Sequence, residues 1–321
     1  MVDHGGNVDV AQSRFGGRLC EWIDLSTGIN RRPYPVEEVH ARHWTELPSR
    51  SELEALHEAA RQAYTTTAPI AAAAGAQGAI QLLPRLVPGG RARILAPTYG
   101  EFAAVLRGAG WDVEEVYDLD GLEGADLAVV VNPNNPDGRR HCGRELMELI
   151  SRVRRLVIDE SFADASPESS LASQAGQAGL LILRSFGKFY GLAGLRLGFV
   201  LGCEADIAAL ARMAGPWPIS GVAIAMGRRA LLDRDWANET RARLGLGAER
   251  LDGLAQRTGW RLVGGTPLFR LYDAGDAGAA QEELARAQIW SRTFRDRPSW
   301  LRLGLPGDEE EWQRLAAALG R

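Results

Sequence analysis

The chain has 321 residues, of which 45% are hydrophobic and 24% are charged, and its net charge is -4. This is the balance of an ordinary globular protein that is long enough to bury a full core. Acidic and basic residues are interspersed, which argues against a polyanion-binding face and against nucleic acid as a partner.

Cysteine usage and the amino terminus indicate the class of protein further. Cys20, Cys142 and Cys203 lie far apart and share no metal-like spacing with the five histidines, so we expect free thiols and no metal site. The amino terminus is acidic and glycine-rich where a signal peptide would be basic and then apolar, and no apolar run approaches the length that spans a bilayer. These features predict a cytoplasmic protein without a membrane partner.

Taken in chain order, short apolar runs bounded by Gly or Pro alternate with longer segments of helical period. This alternation predicts an α/β fold in which helices cover both faces of a mostly parallel sheet. Before the first strand, Ser51 and Glu54 have the spacing of a capping box and predict the start of a helix, with Leu53, Leu56, Ala60 and Ala63 on one stripe. The predicted strands are residues 69–73, 92–95, 127–131, 156–158, 180–183 and 197–201.

Beyond about residue 213 the chain becomes rich in Ala, Leu and Arg. A helix is predicted at about residues 236–256, and strands at residues 261–263, 268–271 and 301–303, which is the pattern of a smaller α+β domain. The segment before about residue 30 shows no helical period, and we expect it to pack on that domain. We therefore predict a large domain of residues 31–235 and a small domain of residues 1–30 and 236–321.

Lys188 lies in a glycine-rich segment just past the predicted strand of residues 180–183. Open α/β sheets bind ligands at the carboxyl ends of their strands. A desolvated lysine near other cations is a nucleophile toward carbonyls, which suits a Schiff base with a cofactor aldehyde. Ser185 and Arg196 flank the lysine and could hold a phosphate through charge-assisted hydrogen bonds. The alternative for this segment alone is a glycine-rich loop with an exposed lysine.

Other polar and aromatic residues also follow predicted strands. Asp159 could pair with a protonated pyridine nitrogen, Asn135 lies in a rigid Asn-Pro turn and could hydrogen-bond a phenolic oxygen, and Tyr99 could stack on a ring. Gly75, Ala76 and Gln77 precede a helix expected to start near Ala79, so their amides could cradle a phosphate. Taken singly, Asp159, Asn135 and Tyr99 are also consistent with a helix cap, a β-turn and a core position.

The sequence resembles the class I and II aminotransferases of the aspartate-aminotransferase superfamily, which have these features in the same order. The features are the phosphate-loop glycine, the aromatic residue, the Asn-Pro turn, the strand-end Asp and the Ser-x-x-Lys segment followed by Arg196. The resemblance covers about residues 26–305. It implies the PLP-dependent transferase fold, pyridoxal 5'-phosphate (PLP) as cofactor, and a homodimer. It also implies that Lys188 forms the Schiff base, Asp159 pairs with the ring nitrogen and Tyr99 stacks on the ring. The residues it implies for cofactor binding are Gly75, Ala76, Gln77, Tyr99, Asn135, Asp159, Ser185, Lys188 and Arg196.

The resemblance also implies a substrate site. Arg302 matches the arginine that binds the α-carboxylate, for which a bidentate guanidinium is suited. The alternative for Arg302 is a strand residue facing solvent. Gly28, Asn30 and Asn135 are further residues expected to contact the substrate.

Two reactions of the superfamily remain open on the sequence, those of histidinol-phosphate aminotransferases and of threonine-phosphate decarboxylases in the cobalamin pathway. Residues 4–6, 25–30, 80–86 and 300–307 are similar to the decarboxylases. Phe162 stands where many relatives have Tyr, and a tyrosine that relatives direct at a neighbouring subunit's cofactor is absent near residues 47–49. We therefore hypothesise decarboxylation of L-threonine O-3-phosphate. The alternatives are an aminotransferase and a ligand-binding homologue without catalysis.

A decarboxylase must hold the substrate carboxylate perpendicular to the cofactor ring, and binding of a remote phosphate can fix that rotation. His4 and Arg292 are the candidates for this phosphate clamp. The alternatives are a disordered terminus for His4 and a surface charge for Arg292.

Overall fold

The computed structural model describes residues 4–36, 38–86 and 89–320. Residues 1–3, which contribute to the acidic amino terminus, lie outside this description. The chain folds into two compact units. The first unit contains the described residues up to Pro33, Pro136–Arg139 and those from Glu239 onward, and the second contains Tyr34–Asn135 and Arg140–Asn238. The domain boundaries at residues 30/31 and 235/236 stay a prediction.

The regular elements of the described ranges are numbered in chain order. The strands are β1 (Ile23–Asp24), β2 (Ile70–Ala74), β3 (Arg91–Leu95), β4 (Asp112–Val116), β5 (Leu127–Val131), β6 (Leu156–Asp159), β7 (Leu180–Ser185), β8 (Leu197–Gly202), β9 (Arg261–Thr266), β10 (Phe269–Asp273), β11 (Ile289–Trp290), β12 (Arg292–Phe294) and β13 (Arg297–Gly304). The helices are α1 (Val8–Phe15), α2 (Arg42–Thr45), α3 (Arg50–Ala63), α4 (Gly75–Leu86), α5 (Glu101–Gly108), α6 (Gly143–Leu149), α7 (Phe186–Phe189), α8 (Glu204–Ala214), α9 (Gly221–Leu232), α10 (Arg234–Arg257), α11 (Ala277–Arg286) and α12 (Glu309–Leu319).

The second unit is built on a seven-stranded sheet with the order β2-β8-β7-β6-β5-β3-β4. The pairs β7-β6, β6-β5, β5-β3 and β3-β4 are parallel, whereas β8 is antiparallel to both of its neighbours. Strands β5 and β6 are buried along their whole length, which explains their unbroken apolar sequence. The predicted mostly parallel sheet flanked by helices is confirmed, and all six predicted strands are present.

Strand direction brings several chain segments to one edge of this sheet. Because β2 runs in the same direction as β3, β5, β6 and β7, the carboxyl ends of all five strands lie at that edge. Strand β8 runs the other way, so its amino end lies there too. The residues predicted to bind the cofactor all lie at these strand ends or in the loops and helices next to them.

Two predicted helix starts in the second unit were wrong. The capping box of α3 is formed by Ser49 and Glu52, two residues before the predicted pair of Ser51 and Glu54, and the Ser49 hydroxyl accepts from the Glu52 amide over 3.2 Å. Helix α4 begins at Gly75 rather than near Ala79, because the glycines that were read as a loop form its first turn.

The first unit contains a four-stranded antiparallel sheet with the order β12-β13-β10-β9 and a parallel pair of β1 with β11. The expectation that the amino-terminal segment lacks a helix was wrong, since α1 packs through Val8, Ala11 and Phe15 against Trp22 and Trp290. The segment does pack on the carboxy-terminal part of the chain, as expected, through β1 and β11.

Two further findings concern the described residues as a set. The three cysteines are free thiols, as predicted. Within the described ranges, no helix combines the length and the apolar character needed to cross a bilayer.

Candidate functional site

Asp159 and Lys188 lie at the ends of neighbouring strands, as predicted. Asp159 is the last residue of β6 and is 3% exposed, and Lys188 lies in α7, directly after β7. The Lys188 Nζ atom is 5.7 Å from the centre of the Phe162 ring. The structure therefore brings an amine and a buried carboxylate together at the edge where the resemblance places the cofactor.

The Asp159 carboxylate is held by the turn that follows it. Its Oδ1 atom accepts from the Ser161 amide over 2.9 Å and from the Ser161 hydroxyl over 2.5 Å. Burial raises the pKa of Asp159 above its usual value, while the Ser161 hydrogen bonds and the positive charge of Lys188 act in the opposite direction. A cation placed against this carboxylate would favour its ionised form, which is what a protonated ring nitrogen would provide.

Glycine is required at one position in the predicted phosphate loop and at one position in the strand behind it. Gly75 has a φ of +73°, and a Cβ atom added there would lie 2.9 Å from Arg196 Nη2, so the guanidinium lies directly over this residue. Behind the loop, a Cβ atom at Gly198 would lie 2.5 Å from the Ala76 amide nitrogen. Because Gly198 is opposite Ser185 in the sheet, the structure brings the three predicted phosphate-binding segments together: Gly75 to Gln77, Ser185 and Arg196.

Tyr99 and Gln77 are joined by a hydrogen bond. The Tyr99 hydroxyl donates to Gln77 Oε1 over 3.2 Å, and Gln77 Nε2 donates to Glu101 Oε2 over 2.8 Å. Tyr99 is half-buried and its ring meets Phe102 edge-on. This bond places the tyrosine hydroxyl next to the first turn of α4, which contains the predicted phosphate loop.

The Asn-Pro turn is tied to the loop that carries Tyr99. The Thr98 hydroxyl donates to Asn134 Oδ1 over 2.7 Å, and Asn134 Nδ2 donates to the Pro97 carbonyl over 2.9 Å. Asn135, the predicted partner of a phenolic oxygen, is the next residue and is half-buried. The Asn134 side chain therefore joins the segment after β5 to the segment after β3, in addition to its place in a turn.

These residues fit PLP. A glycine-lined helix start beneath Arg196 suits a phosphate, since backbone amides and a guanidinium both favour negative charge there. The buried Asp159 suits a protonated ring nitrogen, and the Lys188 amine suits the cofactor aldehyde. All of them lie in the second unit.

Arg302, in the first unit, is 1% exposed, so the alternative of a strand residue facing solvent was wrong. Its Nη2 atom donates to the Ser26 carbonyl over 2.5 Å. Arg292 lies directly opposite Arg302 in the β12-β13 pair. Burial, and then the charge of Arg292, lower the pKa of Arg302 well below its usual range, and Asp24 acts in the opposite direction. Two facing guanidinium groups suit an anionic ligand.

The amino-terminal segment that carries His4 packs against Ser26. The Ser26 hydroxyl accepts from the Gly6 amide over 2.7 Å, and the backbone of Gly5 lies against the Ser26 carbonyl. His4 is exposed and directly precedes these two glycines. It therefore lies near Ser26, the residue to which Arg302 donates a hydrogen bond.

Gly28 and Asn30, the other predicted substrate residues, are both buried. Gly28 has a φ of +64°. The Asn30 Oδ1 atom accepts from the Arg32 amide over 3.0 Å and from Arg243 Nη2 over 3.4 Å. The Asn30 side-chain oxygen is thus already engaged by protein donors.

Sequence reasoning missed Ser161 and the role of Gly198. The signal for Ser161 was available, because an Asp followed two residues later by a donor is an Asx-turn pattern. No local signal marked Gly198, whose need for glycine comes from the backbone of Gly75 and Ala76, far earlier in the chain.

Comparison with known proteins gives a consistent result. The profile of the family aminotransferase class I and II matches residues 36–319. A threonine-phosphate decarboxylase of Sinorhizobium sp. is 43% identical over 100% of this chain and 98% of its own length. Another, of Pseudomonas aeruginosa, is 42% identical over 99% of this chain and 97% of its own length.

A crystal structure of histidinol-phosphate aminotransferase from Sinorhizobium meliloti, in complex with pyridoxal-5'-phosphate, superposes with a TM-score of 0.82. It is 21% identical and the match covers 98% of this chain and 94% of that one. This likeness confirms the predicted fold.

Proposed function

Because the chain belongs to the aminotransferase class I and II family, we propose that it uses PLP to decarboxylate L-threonine O-3-phosphate. The family resemblance expected from the sequence is thereby confirmed. The full-length identity of 43% to a threonine-phosphate decarboxylase carries the proposal. A role in cobalamin synthesis belongs to the same proposal.

The facing pair of Arg292 and Arg302 supports this substrate. Threonine phosphate carries two anionic groups, a carboxylate and a phosphate, whereas histidinol phosphate has no carboxylate. Two guanidinium groups that repel each other across a strand pair are stabilised by a ligand that brings both anions. In the proposed arrangement Arg302 binds the carboxylate, and Arg292 and His4 bind the phosphate.

The other roles follow the geometry of the second unit. Gly75, Ala76, Gln77, Ser185 and Arg196 are proposed to hold the cofactor phosphate. Asp159, Asn135 and Tyr99 are proposed to hold its ring through the nitrogen, the phenolic oxygen and one face.

When bound, PLP accepts the electron pair of the bond that breaks at the substrate α-carbon. The residues that bind the two anions select that bond, because holding the phosphate and the carboxylate at once fixes the rotation about the α-carbon. The bond from the α-carbon to the carboxylate breaks and carbon dioxide leaves. The Lys188 Nζ atom then supplies a proton to the α-carbon.

The reaction is tested by product analysis of the purified protein with PLP and L-threonine O-3-phosphate. We expect one equivalent of aminopropanol phosphate for each carbon dioxide released, and none from a Lys188→Ala variant. Formation of glutamate and a phosphorylated ketone from 2-oxoglutarate and histidinol phosphate, without carbon dioxide release, would instead identify an aminotransferase. Absence of PLP absorption from the protein after unbound PLP has been removed by gel filtration would identify a non-catalytic homologue.

The anion roles are tested by comparing threonine phosphate with threonine. Arg292→Gln should lower kcat/KM for threonine phosphate about 10- to 100-fold, as loss of a hydrogen bond to a charged group does, and should leave any turnover of threonine itself unchanged. Arg302→Lys should lower both. Arg297→Lys, on the same strand but exposed, is the matched control and should change neither.

We also propose that the protein is cytoplasmic and, on the family resemblance, that it is a homodimer. Val36 and Trp44 are 74% and 71% exposed and, with Leu192, Leu195 and Met226, line an apolar pocket of about 540 Å³ in the second unit. Covering such a patch with a second copy would remove apolar surface from water. Sedimentation should give twice the chain mass, and Trp44→Glu should shift the equilibrium toward the monomer.

A further inference from the structure

A buried ion pair joins the carboxyl ends of the two strands that lead to Asp159 and Lys188. Glu160 directly follows Asp159, and Arg184 is the residue before the end of β7. Arg184 Nη1 donates to Glu160 Oε2 over 2.7 Å, and neither side chain is more than 3% exposed. The pair therefore crosses between β6 and β7 at the edge that carries the cofactor site.

Further hydrogen bonds hold both members of this pair. Arg184 Nη2 donates to Asp164 Oδ1 over 2.6 Å. Glu160 Oε2 accepts from the Ser170 hydroxyl over 2.5 Å, and Glu160 Oε1 accepts from the Leu171 amide over 2.6 Å. Both carboxylate oxygens and both terminal guanidinium nitrogens thus have hydrogen-bond partners, and the network ties three parts of the β6–β7 connection, at Glu160, Asp164 and Ser170–Leu171, to Arg184 in β7.

Stability does not explain this arrangement. A buried ion pair is often no more stabilising than apolar residues of the same volume, because both charges lose their hydration. Here two carboxylates face one guanidinium, so the cluster also carries an excess negative charge. Such a network does fix backbone position, since each member can satisfy its partners in only one geometry.

The backbone that it fixes is that of the cofactor site. Glu160 lies between Asp159 and Ser161 in the chain. The amide and the hydroxyl of Ser161 both donate to the Asp159 carboxylate. Arg184 directly precedes Ser185, and α7 with Lys188 begins at the next residue. A shift of Glu160 relative to Arg184 would therefore change the spacing between Asp159 and the helix that carries the lysine.

We propose that Glu160 and Arg184 are positioning residues, whose ion pair sets the spacing between the Asp159 carboxylate and the Ser185–Lys188 segment. The inference rests on the cofactor roles proposed above for that carboxylate and that lysine. Each residue of the pair acts through its neighbour in the chain.

The test measures the bound cofactor in the absence of substrate. In Glu160→Gln the side chain keeps its volume but loses its charge and one acceptor. We expect the visible absorption and visible circular dichroism of bound PLP to change, and the Kd for PLP to rise about tenfold, which corresponds to about 1.4 kcal/mol. Ser170→Ala removes the hydroxyl that donates to Glu160 and accepts from Arg184, without a change of charge, and should produce the same spectral change to a smaller extent.

The matched control is Asp206→Asn. Asp206 forms an ion pair of 2.8 Å with Arg155, and the two side chains are 9% and 17% exposed. Arg155 directly precedes the amino end of strand β6. This variant should lose thermal stability but keep the native cofactor spectrum and Kd.

A native cofactor spectrum and a native Kd in Glu160→Gln, with a fall in Tm like that of Asp206→Asn, would overturn the inference. If Glu160→Gln does not fold, an unchanged spectrum in Ser170→Ala has the same meaning. A wild-type protein that binds PLP but releases no carbon dioxide contradicts only the proposed reaction, because these spectra are recorded without substrate.

Discussion

Replacing Gly198 with alanine should displace the phosphate loop. The added Cβ atom would lie 2.5 Å from the Ala76 nitrogen, 2.5 Å from the Gly75 carbonyl carbon and 3.0 Å from the Arg184 carbonyl oxygen. Ordinary contact begins at 3.4 Å, so the loop or the strand must move by about 0.9 Å. All three atoms belong to the backbone, and no side-chain rotation can relieve the overlap.

The size of the effect follows from what moves. Overpacking of this kind costs about 1–3 kcal/mol of stability. The loop amides are the proposed phosphate ligands, and loss of one hydrogen bond to a charged group costs about 1.5–3 kcal/mol. We therefore expect the Kd for PLP to rise about 10- to 100-fold in Gly198→Ala.

The assay is titration of the apoprotein with PLP, followed by absorbance, with thermal unfolding recorded in parallel. Gly194→Ala is the matched control, because Gly194 is exposed and an added Cβ atom would meet nothing within 4 Å. It should bind PLP as the wild type does. A folded Gly198→Ala protein with native affinity for PLP would refute the assignment of the phosphate to this loop.

The remaining predictions concern one helix cap and one carboxylate. Ser49→Ala should lower the free energy of unfolding by about 1 kcal/mol, whereas Ser51→Ala should stay within about 0.5 kcal/mol of wild type in urea denaturation. Hydrogen bonds from Ser49 lower the pKa of Glu52, so the stability lost in Glu52→Gln should be full near neutral pH and vanish as the pH falls through that lowered pKa. Ser161→Ala removes a hydrogen bond that lowers the pKa of Asp159, so this pKa should rise and PLP affinity measured across pH should be lost at a higher pH than in wild type. Identical pH profiles for wild type and Ser161→Ala would contradict the pairing of Asp159 with the ring nitrogen.

Local sequence was sufficient for the strand ends that carry the chemistry. The residues before Asp159 in β6, and those before Arg184 in β7, form unbroken apolar runs because their strands are buried on both faces. A polar residue that ends such a run marks the edge of the sheet, which is where ligands bind. Strand β4 escaped the same reasoning, because it is an edge strand with the exposed Asp112, Glu114 and Glu115.

Other elements were decided by contacts between distant segments. Helix α4 begins at Gly75, although glycine has a low helix propensity, and its first residues pack closely against the backbone of Gly198. The opposition of Arg292 and Arg302 depends on the register of β12 with β13, and the bond between Glu160 and Arg184 depends on two strands being neighbours.

The sequence by itself thus determined which residues end the buried strands, because burial imposes an apolar pattern that can be read locally. Only the tertiary structure decided which of those residues face one another. Register and strand order are set by packing between segments that are far apart in the chain, and no local pattern encodes them.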